Sequence, residues 1–223
     1  MNLKSLEPRL QTVLEWVPNG VHADIGADHA YLLGNLLGQN RILRGIAVEK
    51  NQEPFELACK NLEKFGSRAE ARLGDGLGPL AAGEVDSISI CGMGAGLMVK
   101  ILQAHPERVP DQVITQPNDS AEPMRRWAWE RGFHVKQETL TLGFWHYPVL
   151  HFERKTGEDP SYAGLPLDVA FRFGPHLLKR KEPLLLDHVL QQQKRLTQLE
   201  GTGNPKVQRD LDCVRSALEI LQK

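Results

Sequence analysis

Val21-His-Ala-Asp-Ile-Gly-Ala-Asp-His-Ala-Tyr-Leu32 is the stretch that decides the fold. A short β-rich run, Val21–Ile25, ends in a carboxylate and a glycine, and a helical window, Leu32–Gly38, follows at once. Strand, tight turn and helix in so few residues are the first half of a βαβ unit. Working outward, strand candidates recur at Gly45–Val48, Ala71–Leu73, Val85–Ile90 and Gln112–Thr115. Helical windows lie between them at Gln52–Phe65, Ala95–Ala104 and Ala121–Arg131. Such alternation predicts an α/β fold with a parallel sheet covered on both faces.

The alternation stops after Gly132. His134–Leu142 and Trp145–Arg154 follow one another with only a turn at Gly143, so they should pair antiparallel. A parallel sheet closed by an antiparallel strand hairpin is the arrangement of Rossmann-like class I methyltransferases. Residues 156–175 are rich in Pro and Gly and read as a linker. Beyond them Leu185, Val189, Gln192, Leu196 and Leu199 repeat at helical spacing, as do Val207, Leu211, Val214, Leu218 and Leu221, with a break at Gly201-Thr-Gly-Asn-Pro205. This pattern predicts an antiparallel, coiled-coil-like helical hairpin. The expected division is a sheet domain over 1–155 and a linker with helical hairpin over 156–223.

With 41% hydrophobic and 25% charged residues in 223, the composition is that of an ordinary globular chain. No run is long and apolar enough for a membrane span and the start has no apolar signal core, so the expectation is a cytosolic protein with no membrane contact. Three scattered cysteines and eight histidines with no paired spacing predict neither disulfides nor a metal site. A net charge of −1 speaks against a large nucleic-acid-wrapping surface but leaves room for a local basic patch.

The strand ends carry the chemistry. At the first, Asp24, Gly26 and Asp28 sit where open α/β sheets bind ligands. The second and third glycines of a dinucleotide turn are missing, and two carboxylates would repel a pyrophosphate. They suit instead a ligand carrying a sulfonium and an α-amino group. Glu49 closes the second strand, about twenty residues on, where an acidic side chain takes ribose hydroxyls. Asp75 closes the third and can accept from an exocyclic amine. Gly92 and Met93 close the fourth. Together with the flanking His29, Lys50 and Gly76, these residues form a candidate site for S-adenosylmethionine and its product S-adenosylhomocysteine.

Several motifs resemble those of the bacterial tRNA (adenine-N1)-methyltransferases that act on adenine 22. They are Arg9-Leu10, Asp24-Ile-Gly-Ala-Asp-His-Ala-Tyr-Leu32, Gly74-Asp-Gly-Leu77, Gly92-Met-Gly94, Gln116-Pro-Asn118 and Arg125-Arg-Trp127. The helical hairpin is similar to that family's appended coiled coil. The chain departs from the family pattern at Ala27, Leu33, Glu53-Pro54, Cys91 and Ala95, all small changes around the pocket.

The resemblance implies tRNA as partner, no obligate protein partner, and extrusion of the target base into the pocket. It assigns catalytic roles to Asp28, Tyr31 and Asn118. The Asp28 carboxylate would stabilise positive charge arriving on the adenine ring, Tyr31 and His29 would orient the base, and Asn118 would bind its edge. Arg9, Arg125, Arg126, Lys179, Arg180, Lys181, Lys194 and Arg195 are the expected tRNA contacts. A methyltransferase of a small molecule or protein shares the cofactor signals, and a non-catalytic RNA-binding module shares the basic hairpin; both stand as alternatives at this point.

Overall fold

The computed structural model describes residues 5–143, 146–199, 201 and 203–223. Seven strands form one sheet: β1 (Val21–Ile25), β2 (Arg44–Glu49), β3 (Ala69–Leu73), β4 (Ser87–Met93), β5 (Gln112–Pro117), β6 (Phe133–Leu142) and β7 (His146–Arg154). Their order is β3-β2-β1-β4-β5-β7-β6. The first five pair in parallel, and β7 runs antiparallel to both β5 and β6. Chain reversal between β1 and β4 opens a crevice at their carboxyl ends, the switch point at which such sheets bind ligands. The expected strand start at Trp145 and the Thr202 of the expected hairpin turn lie outside the described residues.

Helix α1 (Pro8–Trp16) precedes the sheet, and α2 (Tyr31–Gly38), α3 (Gln52–Leu62), α4 (Ala95–Ala104) and α5 (Glu122–Glu130) are the crossovers. One face is packed by Val13, Leu14 and Val17 of α1 and its continuation against Leu33, Leu36 and Leu37 of α2 and Ala47, Ile114 and Val149 of the sheet. The opposite face packs Ala23, Ile25, Ile88 and Ile90 against Met98 and Leu102 of α4 and Met124, Trp127 and Ala128 of α5. Among the described residues no helix is long and apolar enough to cross a membrane.

Residues 156–175 are not a linker. They fold into a turn at Pro160–Tyr162, helix α6 (Leu167–Phe173) and the start of α7 (Pro175–Lys179). Tyr162, Val169, Phe171 and Phe173 are buried in the core of the second face. The Pro and Gly residues punctuate short helices here instead of keeping the chain extended. Helices α8 (Pro183–Thr197) and α9 (Pro205–Gln222) form the expected hairpin. Their apolar stripes do more than meet each other: Leu185, Val189, Leu211, Val214 and Leu218 join the same buried cluster as α5, α6 and the sheet.

A buried ion pair fastens this extension. The Arg125 guanidinium on α5 and the Glu138 carboxylate on β6 are 2% and 0% exposed and meet at 2.8 Å. Arg125 also donates to the carbonyls of Phe171 and Arg172, and Glu138 accepts from the backbone N–H of His176 at 2.8 Å. Gly174, at φ +95°, passes so close that a Cβ there would stand 2.6 Å from Glu138 Oε1. Only glycine accepts both that φ and that approach. Arg125 was expected to contact tRNA; buried and saturated with acceptors, it is a structural clamp.

Candidate active site

The turn after β1 is strained. Gly26 has φ +70°, and Asp28, His29 and Ala30 follow at +38°, +66° and +58°. Three successive non-glycine residues in the left-handed region cost on the order of 1–3 kcal/mol each and persist only where surroundings hold them. The restraints are visible. Glu49 Oε1 at the end of β2 accepts from the Asp28 backbone N–H at 2.5 Å, and Asn61 Nδ2 of α3 donates to the His29 carbonyl at 2.9 Å. The result is a turn that carries its backbone round a cavity and leaves the Asp28 side chain 89% exposed at the rim.

That cavity, about 290 Å³, is lined by Asp24, Gly26, Asp28, Tyr31, Gly92 and Met93, with Arg9 closing one side. Asp24 is buried with no basic partner among the described residues. Ser89 donates to its Oδ1 at 2.6 Å. Burial pushes its carboxyl up to about 7, the Ser89 hydrogen bond opposes this, and the neighbouring Glu49 and Asp28 raise it further. Glu49 is likewise raised, chiefly by burial, with the Asp28 N–H acting the other way. His29 Nδ1 is buried without a hydrogen-bond partner. Asp24 and Asp28 in the cavity wall, with the buried Glu49 bound to the Asp28 N–H, fit a ligand with an ammonium, a sulfonium and hydroxyls.

Not every expected residue meets there. Asp75 and Lys50 pair with each other at 2.8 Å, both largely exposed, at the outer lip next to Gly76. Arg9, expected among the tRNA contacts, lines the cavity. Its Nη1 donates to Gln116 Oε1 at 2.8 Å and Asn118 Oδ1 at 3.1 Å, and its guanidinium lies over the Tyr147 ring. Asn118 Nδ2 donates to the Gly92 carbonyl at 2.6 Å, so α1, β4 and β5 are tied at one point.

A second cavity, of about 460 Å³, has Asn118 in its wall. Its wall includes His146, His188, Arg172, Gln192 and Arg195. Arg172 is held by Asp210 at 2.5 Å and Gln192 at 2.9 Å. Arg195 is exposed on α8 and faces this cavity, and Lys194 is exposed beside it. Lys179, Arg180 and Lys181 do not stand on the hairpin; Lys179 ends α7 and the other two follow it, ahead of α8. Lys179 donates to the Pro160 carbonyl, and Arg180 to the Glu138 carbonyl and to Glu182. Arg126 lies over Phe171 and pairs with Glu122 and Asp168. Lys179, Arg180 and Arg126 thereby brace the extension, and Lys181 is exposed.

His22 escaped the sequence reading. It is fully buried beside Asp24, with its ring nitrogens 2.8 Å from Ser87 Oγ and 2.9 Å from Ser89 Oγ. The signal was present: His22 and Asp24 are two apart on one strand and so share a face.

Sheet order, the antiparallel seventh strand and the acidic strand-end cavity define a Rossmann-like class I methyltransferase. Comparison with known proteins narrows the class. The family described as tRNA (adenine(22)-N(1))-methyltransferase matches residues 22–223. A relative of that name from Bacillus subtilis (strain 168) is 37% identical over 192 residues, 83% of this chain and 80% of the relative. The crystal structure of the B. subtilis M1A22 tRNA methyltransferase TrmK superposes with a TM-score of 0.87 at 33% identity, covering 99% of this chain and 98% of that one. M. capricolum TrmK in complex with S-adenosyl-homocysteine gives 0.85 at 26% identity, covering 97% and 99%. The chain belongs to the tRNA (adenine(22)-N(1))-methyltransferase family.

Proposed function

We propose that this chain is an S-adenosylmethionine-dependent enzyme that methylates N1 of adenine 22 in tRNA. The observation that carries the reading is the hydrogen bond from Asn118, on the wall of one cavity, to Gly92, on the wall of the other; the Gly92 cavity is lined by strand-end carboxylates and the Asn118 cavity by imidazoles and arginines under the helical hairpin. S-adenosylmethionine, when bound, supplies an activated methyl group on a sulfonium. Asp24 accepts from the cofactor's ammonium, Glu49 uses its second oxygen for the ribose hydroxyls, and Asp75 accepts from the cofactor's adenine amine. Gly26, Gly76, Gly92 and Met93 shape the wall between them, and Lys50 holds Asp75.

The acceptor adenine enters the second cavity. Its N1 bears a lone pair and no proton at neutral pH, so no general base is required and the protein's task is orientation. Asn118, already fixed by Arg9 and Gly92, presents its amide to the base edge. Tyr31 and His29, whose rings lie 5.6 Å apart, flank the cofactor side. The product ring is cationic, and the Asp28 carboxylate at the rim stabilises that charge. Its effect grows once bound RNA excludes water from the rim. Lys194 and Arg195 contact the phosphate backbone.

The test is a single-turnover assay with methyl-labelled cofactor, offering tRNA beside free adenosine. Label should enter tRNA alone, and Asp28→Asn should slow transfer by about ten- to a thousandfold with cofactor affinity nearly unchanged. Label in the free nucleoside, or none in tRNA, would overturn the reading; a wild-type rate in the Asn variant would remove Asp28 from catalysis.

A further inference from the structure

The sheet face under α1 and α2 is packed with leucine, isoleucine and valine, yet a line of four polar side chains runs through it. Ser87, His22, Ser89 and Asp24 alternate between β4 and β1, where the register sets His22 opposite Ser87 and Asp24 opposite Ser89. Polar groups buried in such a layer cost stability unless each finds a partner. Here the partners are one another. His22 Nδ1 is 2.8 Å from Ser87 Oγ, its Nε2 is 2.9 Å from Ser89 Oγ, and Ser89 Oγ is 2.6 Å from Asp24 Oδ1.

The donor inventory gives this chain a direction. An ionised carboxylate only accepts, so Ser89 must spend its hydroxyl proton on Asp24. Ser89 then accepts from His22 Nε2–H, and the bare Nδ1 accepts from Ser87. Once Asp24 is protonated, its own proton can go to Ser89, Ser89 turns to Nε2, and the imidazole holds its proton on Nδ1. The two patterns differ by the one proton that Asp24 releases to solvent.

We propose that Ser87, His22 and Ser89 are positioning residues, a directional relay that holds the Asp24 carboxylate ionised and oriented, leaving its second oxygen for the cationic end of the cofactor. The inference rests on the reading of Asp24 as a cofactor ligand. Burial keeps His22 itself neutral, pushing it down to about 3, so the imidazole changes tautomer and not charge. Asp24, pushed up to about 7, titrates where this matters. The groups that face it are Asp28 on its own turn, Glu49 from β2 and Ser89 and Cys91 from β4, with Arg9 of α1 on the far wall of the cavity.

The direct test is long-range ¹⁵N–¹H NMR of the imidazoles in the cofactor-free protein, which needs no variant. His22 should carry its proton on Nε2 when Asp24 is ionised, above about pH 8, and move toward Nδ1–H as pH falls through the Asp24 midpoint. An Nδ1–H tautomer at the alkaline end overturns the relay. The second arm measures S-adenosylhomocysteine binding by calorimetry. Ser89→Ala should raise the Asp24 midpoint and weaken binding about five- to tenfold at and below pH 7, relative to wild type. That ratio, in which the ligand's own titration cancels, should fall toward unity by about pH 9. Ser89→Thr, which keeps the hydroxyl, should restore the wild-type profile. A constant ratio in Ser89→Ala overturns the proposal. Asp24→Asn separates the two layers: if it binds normally, the cofactor reading of Asp24 fails, whereas loss of binding there with an unaltered Ser89→Ala profile removes the relay alone.

Discussion

At the carboxyl ends of β1 and β2, Asp24 and Glu49 are buried and, among the described residues, form no ion pair with a Lys or Arg, while in the extension Arg125 meets Glu138 and Arg172 meets Asp210. Both regions place charge inside the protein. In the extension Arg125 and Arg172 have their counter-ions, and the clamp joins β6, α5 and the α6–α7 bend. At the strand ends the counter-charge has to come from outside. A buried carboxylate without a counter-ion works against the fold, so its presence at the switch point of the sheet marks a place where a cationic ligand is expected. Matched pairs mark architecture, and unmatched groups mark the site.

This contrast can be broken. Arg125→Ala would strand the Glu138 carboxylate inside the core and should cost about 3–5 kcal/mol of unfolding free energy. Arg126→Ala, the adjacent residue, removes a half-exposed pair and should cost no more than about 1 kcal/mol. Denaturant melts of the two variants decide it; equal losses would mean that the buried pair is not the clamp. The strand ends should respond with the opposite sign. A carboxyl raised from 3.8 to about 7 in the folded state destabilises the fold progressively as pH rises through that range, by on the order of 4 kcal/mol once fully ionised. Asp24→Asn should therefore melt higher than wild type at about pH 8, by roughly 2–4 kcal/mol, with the gain vanishing toward about pH 4. A variant less stable than wild type at alkaline pH would show that Asp24 is a structural group like Glu138.

The contrast also sorts what was legible in the sequence. Strand candidates with Asp24, Glu49, Asp75 and Gly92 at or just beyond their ends announce both the strands and the chemistry, because strand ends and ligand sites coincide in this architecture. Helix α1 passed unread although Pro8 starts it and Leu10, Val13, Leu14 and Val17 keep helical spacing; its apolar face shows its purpose only against Ile114 and Val149. Gly174 read as linker punctuation because its reason is a long-range one, the close passage of Glu138. The same holds for Arg125 and Arg126. Adjacent on one helix and alike in chemistry, they are separated only by which of them faces β6. His22 was visible as a strand partner of Asp24, but its meaning required the two serines of β4.

The central claim is that this chain places a methyl group on N1 of adenine 22 in tRNA. The measurement that tests it most directly is mass spectrometry of nucleosides from a tRNA transcript incubated with the protein and S-adenosylmethionine, with the modified position mapped by primer extension. The account predicts 1-methyladenosine and an extension stop at position 22, both lost when that adenine is replaced by guanine. Methylation at another atom, at another position, or undiminished in the guanine transcript would contradict it.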